Sequence, residues 1–513
     1  MEFLSLGDRS LSLEDVSEVA FGKKKVKLSE AARLRVKTSH DFVQKKVATG
    51  QTYYGINTGF GLLSHVKIPQ DELETLQYNL IRSHSCGTGP YVKPEVSVAM
   101  LLLRASNLAL GHSGVSVELI EHIVNVLNRG VIPLIPEQGS VGASGDLAPL
   151  SHLALVLIGE GRALVHGQEM SGAQALKAVD LKPIRLGPKE GLALINGTQF
   201  MTALGALTLL EAEHLCDVAD AAGAMSLEAL RGTVRAFDPE VHQLRPHPGQ
   251  AHVAKNLRSL LSPQGQRSEI SVSHQDCTKV QDPYSLRCMP QVHGATRDVL
   301  QFVREVLMRE INSVTDNPLV FPEQDKILSG GNFHGQIVAM AMDMLAIASA
   351  ELASISEQRF QKLVNPATSE LPAFLTPKSG LNSGFMIVHV AAASIVSENK
   401  TLCHPASVDS IPTSADKEDH VSMGAWAARK AQKVVINTSR VLGMELMAAA
   451  QGVDLLRPLR STEPIERIHA LIRRRVEVLD QDRSFYQDQL AIEELVYASE
   501  FKELLVQCLI SSS

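Results

Sequence analysis

The run Gly139-Ser140-Val141-Gly142-Ala143-Ser144-Gly145-Asp146 joins small residues to an acid, with neither a helical period nor a strand alternation. Read by itself it is a turn. Three kinds of chemistry also use such runs. A phosphate loop needs GxxxxGK[ST], or GxGxxG after a strand; here the glycines stand at 139, 142 and 145 and no lysine follows. A nucleophile elbow needs GxSxG, but Ser144 is followed directly by Gly145. The third is chemistry on the backbone itself. If the turn presses the Gly145 nitrogen against the Ala143 carbonyl carbon, a five-membered ring closes with loss of water, and a glycine nitrogen approaches most freely. Loss of the Ser144 hydroxyl as a second water leaves an exocyclic methylene conjugated to the ring, an electrophile that no standard side chain provides.

Further blocks carry polar residues in unusual settings: "YGINTGFG" from Tyr54, "NLIRSHSCGTG" with His84, "INGTQ" with Asn196, "QDPYSLRC" with Gln281, Tyr284 and Arg287, "DNP", "GGNFHG" with Phe333, and "SADKEDHVSMG" with Glu418. Taken singly these are a packed tyrosine, a helix-end histidine, a turn asparagine, a surface arginine and a solvated carboxylate. Taken together, in this order and around Ala143-Ser144-Gly145, they resemble the aromatic amino-acid ammonia-lyases over nearly the whole chain. The resemblance implies a 4-methylideneimidazole-5-one cofactor (MIO) formed from Ala143, Ser144 and Gly145, with no external cofactor and no metal. It also implies a carbon–nitrogen lyase that removes ammonia from a small-molecule amino acid.

Residue by residue, the resemblance makes Tyr54 the base for the β-proton and Tyr284 and Glu418 catalytic partners. His84 becomes a substrate contact, and Asn196 supports the ring and the amine. Gln281 and Phe333 line the pocket, and Arg287 grips the substrate carboxylate, which a guanidinium does bidentately. Ser83-His84 matches the family's histidine-specific members, implying L-histidine as substrate and trans-urocanate as product. A tyrosine or phenylalanine lyase, or an aminomutase, is the alternative. One departure bears on this: Asp416-Lys417 stands where the family commonly has Asn-Gln before the glutamate, and a nearby lysine favours an ionised carboxylate.

These side chains need a scaffold. Ser29 followed by "EAARLRVKTSHDFVQKKVATG" reads as an N-cap, a helix and a glycine stop, and "PEVSVAMLLLRASNLALG" and "SVELIEHIVNVLNRG" repeat that punctuation. "TYYGINTGFGLLSH" breaks the helical period with glycines and reads as a loop or short hairpin. Residues 335–364, 379–402 and 423–451 read as much longer helices. Several such helices, few aromatics (4%) and a single tryptophan, Trp426, imply a mainly α fold. The expected architecture is a smaller mixed N-terminal domain over 1–110 and a long-helix bundle over 111–513. Residues 262–291, with Pro263, Pro283 and Pro290 and no sustained period, resist the helical reading and are expected to be functional or disordered. By resemblance the chain is a homotetramer whose sites each draw on three copies.

Composition limits the remaining options. A chain of 513 residues with 44% hydrophobic and 20% charged residues buries a large core. A net charge of −7 and no basic run longer than Lys23-Lys24-Lys25 argue against a nucleic-acid partner. The six cysteines form no CxxC pair, and the N-terminal residues carry acids where a secretory signal needs bases, so a reducing cytoplasm is expected. The most apolar stretch, residues 384–398, is short of the roughly 20 residues a membrane span requires and is expected to be a buried core helix.

Overall fold

Polar caps and apolar stripes delimit the helices where the sequence places them. The computed structural model describes residues 2–277 and 280–509. Helix α1 (Leu13–Ala20) opens on a capping box between Ser12 and Asp15. Helix α2 (Glu30–Ala48) opens at Ser29, whose side chain accepts the Ala32 N–H at 3.1 Å, and buries the stripe Ala32, Val36, Ser39, Val43 and Val47. It runs out at Gly50, in the left-handed region at φ +72°. Helices α3 (Leu73–His84), α4 (Pro94–Ala109), α5 (Val117–Asn128), α6 (Leu147–Leu157) and α7 (Glu190–Ile195) follow. The long helices are α8 (Gln199–Ala229), α9 (Met289–Glu310), α10 (Gln336–Val364), α11 (Met386–Leu402) and α12 (Gly424–Leu455). With 61% of residues helical and 8% in strands, the mainly α expectation holds.

The chain parts into two compact units. The first comprises Met1–Leu210, Arg304–Asp343 and Pro405–Arg429; the second comprises Glu211–Val303, Met344–His404 and Lys430–Ser513. Four of the unit boundaries fall inside α8, α9, α10 and α12, and the fifth, between His404 and Pro405, follows α11. The described strands all lie in the first unit, in small separate sheets: Phe3–Leu6 runs parallel to Lys25–Leu28, and the remaining pairings, such as Thr88–Tyr91 with Pro136–Gln138, are antiparallel. The core of the second unit holds a buried charge network. His293 bonds Asp220 at 2.8 Å, and Arg359 donates to both oxygens of Glu445 at 2.5 and 2.8 Å, all four side chains being inaccessible to water. Arg359 and Glu445, opposite charges that meet in the dry interior, hold one another at the cost of desolvation.

Three expectations need correction. The helix expected over 379–402 starts at Met386, because Gly380 (φ +96°) and Gly384 (φ +53°) hold a turn whose Ser383 and Gly384 N–H groups donate to Asp482 at 2.7 and 2.9 Å. Helix α11 is not a buried core helix: Ile387 and Val390 are 66% and 54% exposed, since nothing among the described residues covers that face. The described helix long and apolar enough to cross a membrane is α10 rather than the 384–398 stretch, and most of its apolar window is buried inside the protein. Residues 262–291 contain the 3-10 turn Pro263–Gly265, the start of α9 and the short helices Glu269–Ser273, capped by Ser268, and Tyr284–Arg287. The intervening Thr278 and Lys279 lie outside the described residues.

Candidate active site

Residues 139–146 form a turn between the strand Pro136–Gln138 and α6. Gly142 and Gly145 take φ of +70° and +76°, a region other residues rarely enter. Neither position has room for a side chain: a Cβ at 142 would lie 2.1 Å from Ser422 Oγ, and one at 145 would lie 2.2 Å from the Gly197 carbonyl oxygen. The turn is clamped from outside. Asp146 N–H donates to Gly197 O at 2.6 Å, Met423 N–H donates to Val141 O at 2.9 Å, and Ser422 Oγ donates to Gly142 O at 3.3 Å. Asp146 is buried, and its carboxylate accepts Met201 N–H and Ser140 Oγ, both at 2.9 Å. Burial pushes its carboxyl up to about 7 against those bonds. Ala143 is buried while Ser144 opens onto a cavity of about 860 Å³. A tight turn with a buried Ala143, no room for a Cβ at Gly145 and an accessible Ser144 hydroxyl fits the internal ring.

The cavity is lined by several segments, remote from one another in sequence, that the fold brings to Ser144. Helix α3 presents Leu76, Asn79, Leu80, Ser83 and His84, one face at helical spacing. His84 Nδ1 lies 2.8 Å from Leu80 O, so the backbone fixes the tautomer with Nδ1–H donating and Nε2 carrying the lone pair. Burial holds His84 below the ordinary histidine value, opposed by the Leu80 carbonyl and the charge of Glu418. The glycine-rich loop presents Tyr54, while its neighbour Tyr53 packs against the core cluster of Val43, Val47, Ile56, Leu73 and Val320. Gly55 makes this possible: φ is +70° and a Cβ there would meet Leu192 at 2.6 Å. The 410s loop presents Glu418, and Asn196 and Phe333 complete the predicted residues on the wall.

Asn196 is 3% exposed; its Nδ2 donates to Asn317 O at 3.0 Å and its Oδ1 has no hydrogen-bond partner among the described residues. A buried acceptor left open beside a cavity is a place for a ligand donor. Glu418 Oε1 accepts the Ser144 hydroxyl at 2.5 Å, and its Oε2 accepts Thr413 Oγ1 and Ser414 Oγ, both at 2.9 Å. Lys417 is exposed and does not figure among these partners. Gln281, Tyr284 and Arg287 belong to the second unit and do not line this cavity. Tyr284 is 71% exposed, with the Arg287 guanidinium 4.5 Å over its ring and Arg287 Nε donating to Asp282 O at 3.1 Å.

The family model for aromatic amino acid lyases matches residues 11–474. The chain belongs to this family. An aromatic amino acid lyase named histidine ammonia-lyase, from Anaeromyxobacter dehalogenans (strain 2CP-C), is 53% identical over 505 residues, spanning 97% of this chain and 99% of its own. The crystal structure of histidine ammonia-lyase from Trypanosoma cruzi superposes with a TM-score of 0.92 at 45% identity, covering all of this chain and 96% of that one. The tyrosine aminomutase of Streptomyces globisporus superposes with a TM-score of 0.93 at 35% identity, covering 99% of each chain.

For an aromatic amino acid lyase, several residues around the site escape sequence reasoning. Arg104 is buried in α4, donates to Asn196 O at 2.7 Å and to Asn107 Oδ1 at 2.6 Å, and is pushed down to about 10 by burial, opposed by Asp316. Lys189 and Asp316, both fully buried, pair at 2.6 Å, and the next residue, Asn317, lines the cavity. The sequence signal for Arg104 is a charge at the centre of the apolar run "AMLLLRASN". Ser422, Thr413 and Ser414 carry no such signal, because hydroxyl residues are common in every loop.

Proposed function

We propose that the chain is a histidine ammonia-lyase that eliminates ammonia from L-histidine to give trans-urocanate, using 4-methylideneimidazole-5-one formed from Ala143, Ser144 and Gly145. The observation that carries this reading is the clamped turn, which opens Ser144 onto a cavity walled by Tyr54, His84, Asn196, Phe333 and Glu418. When formed, that group supplies the electrophile that makes the substrate's amine and β-proton removable. The chain's own residues do the rest. Tyr54 takes the β-proton on its phenolate oxygen and ends as the phenol. The open Asn196 Oδ1 accepts an N–H of the substrate amine. A neutral His84, with its Nε2 lone pair, accepts the N–H of the substrate imidazole, and Phe333 and the apolar wall exclude water.

Arg287, Tyr284 and Gln281 complete the site from another copy in a homotetramer, a proposal supported by their absence from the lining of this cavity, by the exposure of Tyr284 and by the exposed apolar residues Ile387 and Val390 of α11. The cytoplasm suits six free cysteines. The test is an ultraviolet assay of the purified protein with histidine, tyrosine and phenylalanine, alongside its intact mass. Urocanate from histidine and a mass two waters below the sequence are expected. Cinnamate-type products or a β-amino acid in place of urocanate would move the chain to the tyrosine or phenylalanine lyases or the aminomutases.

A further inference from the structure

We infer that Glu418 is the acid–base group that removes the Ser144 hydroxyl while the chain matures, before it meets any substrate; this rests on the reading that Ala143-Ser144-Gly145 closes into a ring. In the open peptide the departing group is Ser144 Oγ, and Glu418 Oε1 is bonded to it at 2.5 Å. The other carboxylate oxygen is occupied by the two hydroxyls of Thr413 and Ser414, which fixes the carboxylate's rotation and leaves Oε1 for Ser144. The backbone enforces the same placement: Thr413 N–H donates to Glu418 O at 3.0 Å, Glu418 N–H returns to Thr413 O at 3.3 Å, and the bridged loop passes through Ser414, Ala415 and Asp416 at φ of +54°, +53° and +62°. Three successive non-glycine residues in the left-handed region are retained only where the surroundings over-determine them. The nearest acid in sequence, Asp146, is bonded instead to Met201 N–H and Ser140 Oγ.

The step balances within the chain. Glu418 takes the proton from Ser144 Cα, the electron pair left on Cα becomes the Cα–Cβ double bond as Cβ–Oγ breaks, and the same proton leaves on Oγ as water. Glu418 ends as it began, a carboxylate, and no oxidant or reductant is required. The contact erases itself: once Oγ has left, Oε1 loses its partner and becomes an open acceptor on the cavity wall. One carboxylate thereby serves first the protein and then the substrate.

Intact mass separates the two waters. Wild-type protein should be two waters lighter than its sequence. Glu418→Gln keeps the shape and the hydrogen bond but cannot carry the proton; it should be folded by its melting curve, only one water lighter, and without the wild-type ultraviolet band of the conjugated ring. Should that variant fail to fold, the double variant Thr413→Val/Ser414→Ala keeps the carboxylate and frees its rotation. It should reach the wild-type mass several-fold more slowly when mass is followed after synthesis. Folded Glu418→Gln that loses both waters, or neither, overturns the inference, as does a double variant maturing at the wild-type rate. Wild-type protein at full mass would instead overturn the ring itself, a distinguishable failure.

Discussion

Asp146 lies one residue beyond Gly145, out of contact with water, and its carboxyl is held up at about 7 from an ordinary 3.8, chiefly by burial. A raised carboxyl binds its proton more tightly in the folded than in the unfolded chain. Its cost is therefore absent below the unfolded value, grows as pH rises through the window between 3.8 and about 7, and is constant above it. Thermal melts should show wild-type stability falling with pH across that window more steeply than Asp146→Asn, and parallel curves would refute the assignment. Tyr54→Phe keeps the ring in the cavity and removes the oxygen, so kcat should fall by about 100- to 10,000-fold with KM changed far less and the mass still two waters light. Tyr54 was legible through the resemblance carried by its block "YGINTGFG", since by itself it reads as a packed tyrosine, and Asp146 was legible only as the acid that closes the small-residue run. Arg104 was not, since a lone arginine in an apolar helix reads equally well as a side chain reaching for solvent, and its bond to the Asn196 carbonyl joins positions far apart in the chain.

At the scale of elements, the clamped turn makes the sharpest demand. Gly145→Ala puts a Cβ 2.2 Å from the Gly197 carbonyl at a φ of +76°. The substitution should cost about 2 kcal/mol or more of stability and leave the chain at its full sequence mass, measured by melting and mass spectrometry together. Local signals carried most of the helices: Ser29 and Gly50 bracket α2, and α4 and α5 keep their Pro or Ser starts. The start of α11 was misread because Asp482, remote in sequence, fixes the turn through Ser383 and Gly384. Its burial was misread for a different reason: hydropathy reports which side chains prefer to leave water, not whether one chain alone supplies the cover.

For the molecule as a whole, the first unit is assembled from three separated stretches of sequence, an arrangement that no periodicity reveals because it depends on contacts between segments hundreds of residues apart. If the site takes Arg287 from another copy, two inactive variants should rescue each other. Tyr54→Phe and Arg287→Ala, each close to inactive alone, should recover measurable turnover when produced in the same cell and purified as mixed assemblies, whereas mixing variants of one residue should recover none. The clamp on residues 141–145 also has a consequence in time. Its anchors are Gly197, Ser422 and Met423, and the last two emerge from the ribosome almost three hundred residues after the tripeptide. If the proposed ring forms, a nascent chain halted short of Ser422 carries an inert peptide, and the cell's thiols meet no reactive alkene until about four-fifths of the polypeptide has been translated.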